Sequence, residues 1–125
     1  MADFSFSKNE KLKSKKQIEL LFKEGNSVSV YPIKLIYIAL KDTKDSQLAK
    51  IGVTVPKRVF KSAVQRNRIK RVLRECYRLN KHIIFNNIEG NFALLFLYLG
   101  KEMPAYDKVE KAMIATLQKF INNVQ

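Results

Sequence analysis

Between Gln65 and Arg78 the chain reads QRNRIKRVLRECYR, six Arg or Lys side chains and one Asn threaded with leucine, isoleucine and valine. The chemistry these residue types offer is the holding of phosphate. A guanidinium fork donates two parallel hydrogen bonds to phosphate oxygens, and the Asn67 amide carries donors and an acceptor for a base edge or a sugar hydroxyl. At about 100° per residue, Arg66, Lys70, Arg74, Asn67, Arg78 and Arg71 fall within an arc of about 140°. Ile69, Val72, Leu73 and Cys76 lie opposite. A solvated helix usually interleaves acids and bases, because i,i+4 ion pairs stabilise and like charges at that spacing repel. Here Arg66/Lys70, Lys70/Arg74 and Arg74/Arg78 are all like-charged. Across residues 57–81 ten Lys or Arg, Lys57, Arg58 and Arg68 among them, stand against a single acid, Glu75. Such a face is better explained as a grip for a polyanion than as a merely solvated one.

Nothing comparable suggests catalysis by the chain itself. Cys76 is the only cysteine and His82 the only histidine, so there is no internal disulfide and no Cys/His zinc set. Cys76 sits between Arg74 and Arg78, but on the apolar side of its helix, which predicts a buried structural thiol. A self-sufficient metal nuclease would have to use Asp42, Asp45 and Glu75, and these show no metal-ligand spacing.

The whole chain agrees with a binding module. Its 125 residues suffice for one domain with one core. The apolar fraction of 46% with 10% aromatics is that of a folded chain. Twenty-four Lys and Arg against eleven Asp and Glu leave a net charge of +13, which nucleic acid would neutralise. No segment approaches 18 apolar residues and the N-terminal MADFSFSKNEKLKSKK has no signal-peptide core. A cytoplasmic protein without membrane contact is expected, its first nine residues a flexible terminus.

The elements that must position the basic helix can be read from periodicity. Leu12, Ile18, Leu21 and Phe22 predict a helix over 12–24, closed by Gly25. After NSVSVYP, taken as a connection, IKLIYIAL (33–40) predicts a strand. The polar KDTKDSQ then reads as a hairpin loop to a partner strand LAKIGVTV (48–55), where Gly52 suggests a bulge or a close backbone approach and Pro56 ends the strand. Ser62 and Gln65 form a capping-box pair that starts the basic helix, which runs to about Asn80. HIIFNNIEGN reads as a loop. FALLFLYL (92–99), apolar without alternation, predicts a central or doubly covered strand. Val109, Ala112, Met113, Leu117, Phe120 and Ile121 predict a final helix packed on the core. The sum is an α+β domain, α-β-β-(β)-α-β-α, with about four strands and helices packed on them. A strand and Pro56 immediately before the basic helix speak against a helix-turn-helix, and hence against DNA. A structural RNA-binding protein, such as a ribosomal component, would share this charge and size.

The segment VPKRVFKSAVQRNRIKRVLRECYR closely resembles the signature of the bacterial ribonuclease P protein family, an Arg-Asn-Arg helix followed by Lys-Arg and a further Arg. LKSKKQIELLFKEG is similar to that family's N-terminal helix and closing glycine, and the resemblance spans roughly residues 10–121. It implies an accessory protein subunit of the ribonucleoprotein endonuclease that removes the 5′ leader from precursor tRNA, with Mg²⁺ bound mainly by the RNA subunit and substrate. It also implies that Arg66, Asn67, Arg68, Lys70, Arg71 and Arg74 lie against the catalytic RNA. A leader cleft between the first helix and the sheet face would be lined by Ile18, Phe22 and Tyr37, and a left-handed βαβ crossover would precede the fourth strand. The chain departs from the family at Ile18, usually aromatic, and at Phe60, often glycine. The latter predicts a different loop path before the basic helix.

Overall fold

The computed structural model describes residues 15–40, 49–86 and 91–124. The elements are α1 (Lys15–Glu24), β1 (Asn26–Val30), β2 (Ile33–Leu40), β3 (Ala49–Thr54), α2 (Ala63–Asn80), α3 (His82–Phe85), β4 (Asn91–Tyr98) and α4 (Tyr106–Val124). The expected nine-residue terminus, Leu12, and the 41–47 loop with Asp42 and Asp45 lie outside the described residues.

The four strands form one mixed sheet in the order β1-β2-β4-β3, antiparallel between β1 and β2 and between β2 and β4, parallel between β3 and β4. This corrects the hairpin expected between β2 and β3, because β4 inserts between them. β4 is apolar on both faces, with Phe92 to Phe96 all buried. A central position is where such a strand loses least, since helices cover it from either side. The parallel β3–β4 pair, joined through α2, is a βαβ unit.

Three further expectations change. NSVSV is an edge strand rather than a connection, with Val28 buried and alternate residues exposed. Its inward valines are enough to seat five residues beside β2. His82–Phe85 is a short helix where a loop was expected, its Ile84 fully buried. Register runs unbroken through Gly52, opposite Leu95, so there is no bulge.

Register assigns the two faces of the sheet. Ile33, Leu35 and Tyr37 of β2 share a face with Ile51 and Val55 at β3 and with Leu94 and Phe96 of β4. That face packs on α2 and α4, and it forms the main core. All six positions predicted for the last helix are buried there, together with Thr116, whose hydroxyl donates to the Ala112 carbonyl at 2.7 Å. On the opposite face Leu21 of α1 packs with Ile36, Ala93 and Leu95. α1 passes into β1 through Gly25 alone, whose N–H donates to the Leu21 carbonyl at 2.9 Å. A Cβ at Gly25 would lie 2.6 Å from Ile36 Cγ2 and closer still to the Leu21 oxygen, so only glycine allows helix and strand to meet so closely.

Candidate nucleic-acid interface

α2 begins where the sequence places it. Ser62 is extended, and its hydroxyl accepts from the Gln65 N–H at 3.3 Å, which satisfies one donor of the helix start. The loop before it is held by Phe60, which is buried and packs its ring 5.9 Å from that of Tyr98. The Phe60 N–H donates to the Pro56 carbonyl at 3.1 Å. Phe60 is thus a core anchor that aims the basic helix.

Burial then fixes the orientation of α2. Ile69, Leu73 and Cys76 are buried as expected, but Tyr77 is buried with them and Val72 only half so. Tyr77 stacks at a tilt on Phe96, ring centroids 5.6 Å apart. The outward direction is thereby turned away from Arg66. Arg66 and Lys70 sit half-buried at the border, while Asn67, Arg68, Arg71 and Arg74 are exposed. Arg68, outside the arc drawn from sequence, belongs to the exposed face. Lys57 and Arg58 are exposed in the loop ahead of the helix.

The cations are not equivalent. Arg66 Nη1 donates to the carbonyls of Phe60 at 2.8 Å and Lys61 at 2.9 Å, tying the helix to its own entry loop. Arg78 is paired with Glu75, its Nε donating at 3.0 Å and its second nitrogen to the other carboxylate oxygen. That hydrogen bond holds the Glu75 carboxyl below its ordinary range. The one acid of the segment is thus already neutralised within the helix. Among the described residues, no side chain pairs with the guanidinium groups of Arg68, Arg71 or Arg74.

Two recesses flank Arg71. One, of about 360 Å³, is lined by Val64, Asn67, Arg68 and Met103; the other, of about 480 Å³, by Arg74, Glu75, Arg78 and Tyr106. Exposed apolar side chains therefore stand among the arginines, as a surface for both phosphate and base would require. Met103 and Tyr106 were not singled out from sequence. Their only signal is a methionine in the short Pro-containing connection before α4 and a tyrosine at the first position of that helix. Cys76 is inert by position: burial pushes its thiol up to about 11.

The second predicted site is altered. Ile18 packs against the Ile36 cluster, and Phe22, one turn later on the same flank of α1, is 58% exposed. Tyr37 does not join them. It lies on the opposite face of the sheet, buried edge-on against Phe120 with ring centroids 4.8 Å apart. Its neighbour Ile36 is the β2 residue that faces α1. On the face of the sheet that carries α1, Ile18 packs with Ile36, Ile38 and Leu97, and Lys34 and Lys50 share that face by register.

A family model described as Ribonuclease P matches residues 6–121. The chain is 35% identical over 126 residues to the ribonuclease P protein component of Porphyromonas gingivalis, covering 98% of this chain and 91% of that one. It is 40% identical over 121 residues to that of Dictyoglomus thermophilum, covering 95% and 94%. Among solved structures it resembles the RNase P protein of Staphylococcus aureus, with a TM-score of 0.72 at 20% identity over 94% of this chain and 98% of that one. The RNase P protein from Thermotoga maritima gives 0.71 at 23% identity, over 88% and 96%. At these identities the two structures speak for the shared fold.

Proposed function

The chain belongs to the ribonuclease P protein family, and from that premise we propose that it is the protein component of this RNA endonuclease, binding the catalytic RNA and the leader of precursor tRNA while the RNA subunit hydrolyses the phosphodiester bond. The observation that carries the reading is the exposed arc of α2. Asn67, Arg68, Arg71 and Arg74 face outward together, and the segment's one acid is bound to Arg78. Such an arc neutralises backbone phosphates and displaces their counterions. Phe22 and Ile18, beside the apolar strip of Ile36, Ile38 and Leu97, would offer sequence-tolerant packing to a single strand, since every base has an apolar face. Lys34 and Lys50 on that face of the sheet would meet its phosphates.

Mg²⁺ in this reading is held by the RNA subunit and substrate. Among the described residues no three His, Cys, Asp or Glu side chains gather where an ion could sit. The protein's part is to hold and orient. Of the acids a self-sufficient nuclease would need, Glu75 is engaged by Arg78. No helix among the described residues is long and apolar enough to cross a membrane.

The test is multiple-turnover cleavage of precursor tRNA at low Mg²⁺ by the cognate RNA subunit alone, by the protein alone, and by both. Stimulation confined to the combined reaction is expected. An RNA subunit that is active at high Mg²⁺ yet indifferent to the protein would reject the proposal, and preferential binding to ribosomal RNA would move the chain to a structural role.

A further inference from the structure

We infer that the groove between the β1–β2 turn, the β4–α4 connection and the start of α4 is a second docking site for the catalytic RNA, taking an unpaired nucleotide with its base against Tyr31 and its phosphates near Lys108 and Lys111. The inference rests on the proposed function.

The groove has a volume of about 970 Å³, at the upper end of the roughly 300–1,000 Å³ typical of small-ligand sites. Its rim carries Tyr31, 72% exposed, and Met103, 37% exposed. A tyrosine standing in solvent at a turn adds little to the fold, so packing does not account for it. The floor is preformed. The Tyr98 hydroxyl donates to the Glu102 carbonyl at 2.7 Å, and Gly100 passes so close to that ring that a Cβ there would collide with it.

Charge selects the occupant. Lys101, Lys108 and Lys111 line the groove and are exposed, against Glu102 as the only acid of its lining among the described residues. The ligand chemistry that satisfies an aromatic ring beside three cations is a flat apolar body carrying negative charge, which is a nucleotide. A second copy of this chain would bring another +13 against the same lysines.

Continuity selects the source. Met103 also lines the recess formed by Asn67, Arg68 and Arg71, so one residue forms the ridge between the groove and the exposed arc of α2. Val109 and Ala112, which form part of the wall, belong to the core on the α2 side of the sheet, whereas α1 packs on the other side. A strand lying along α2 can continue over Met103 into the groove. A leader held against α1 would have to cross the sheet.

The experiment measures affinity of the full chain for the cognate RNA subunit against salt, comparing wild type with Tyr31→Ala, Tyr31→Phe, the double change Lys108→Ala/Lys111→Ala, and Arg71→Ala. Tyr31→Ala should weaken binding about tenfold, the scale of one lost base–aromatic contact, and Tyr31→Phe should retain it. The double change should lower the log–log salt slope by about 1.4–1.8, two phosphate contacts. Unchanged binding by these variants while Arg71→Ala weakens it would overturn the groove and leave the family reading intact. Failure of wild type to bind the RNA subunit would remove both. An effect of Tyr31→Ala seen only with long-leader precursor, or only on self-association, would overturn the assignment to catalytic RNA.

Discussion

The Arg66 guanidinium holds the carbonyl of Phe60 at 2.8 Å, so the first arginine of the basic motif is bound to the residue that anchors its entry loop. Arg66 bridges a core-locked loop and the helix through Nη1. It therefore acts first as a positioning residue. Arg66→Ala should cost about 1.5–3 kcal/mol of stability, the range for hydrogen bonds made by a charged group, and should also weaken RNA binding. Arg71→Ala should leave stability within about 0.5 kcal/mol and weaken RNA binding alone. Urea unfolding beside RNA titration separates the two; equal stability losses would contradict this division.

The exposed arc predicts an electrostatic series. Replacing Arg68, Arg71 and Arg74 one at a time with Ala should lower the slope of log affinity against log salt by about 0.7–0.9 each, if each neutralises one phosphate. Glu75→Gln should act oppositely. It removes the acid that pairs with Arg78, and with it the one negative charge on this stretch of the helix. Its slope should steepen and its affinity rise several-fold. An unchanged slope throughout would make the face merely solvated.

Much of this was legible in the sequence where the signal is local. The apolar period of α4 predicted its buried residues, and Ser62 placed the start of α2. Sheet order was not legible, because β2 and β3 are neighbours in sequence while the strand between them arrives some forty residues later. The facing of β2 was ambiguous for another reason. IKLIYIAL is apolar in both phases, so alternation could not decide whether Tyr37 or Ile36 turns to α1. The outward side of α2 was likewise misjudged by the angle that burial of Tyr77 imposes. The groove beside Tyr31 left no trace in the chain, since two distant segments, 30–32 and 98–112, make it.

Cys76 supplies a pH dependence. Its thiol is raised from an ordinary value near 9 to about 11, burial being the largest cause, followed by the charge of Glu110. The folded state thus holds the proton more tightly than the unfolded state. Below about pH 9 both states carry a neutral thiol and the fold is unpenalised. Between about 9 and 11 the unfolded thiol ionises first, and stability falls until the folded thiol also titrates. Because lysines and tyrosines titrate there too, the comparison is with Cys76→Ala. The stability difference between wild type and variant, measured by urea at pH 7.5 and at pH 10.5, should move against wild type at the higher pH. A constant difference would mean that the thiol feels no burial.

Phe22 and Tyr37 make the sharpest contrast, because the same family resemblance assigned both to one cleft while the sheet register separates them. Tyr37 is core, packed on Phe120 with its hydroxyl accepting from Asn123 Nδ2 at 3.5 Å. Tyr37→Ala should therefore cost about 3–5 kcal/mol, the range for deleting a buried aromatic ring. Any loss of activity should track unfolding and vanish at low temperature. Phe22 is 58% exposed, and Phe22→Ala should leave the urea midpoint nearly unchanged. It should instead reduce the affinity of the reconstituted enzyme for precursor tRNA by about five- to tenfold, and only when the leader is long enough to reach α1. Measuring affinity against leader length for both variants decides the matter. If Phe22→Ala were indifferent to leader length, the α1 face would not be the leader's path, whatever the arginines of α2 bind.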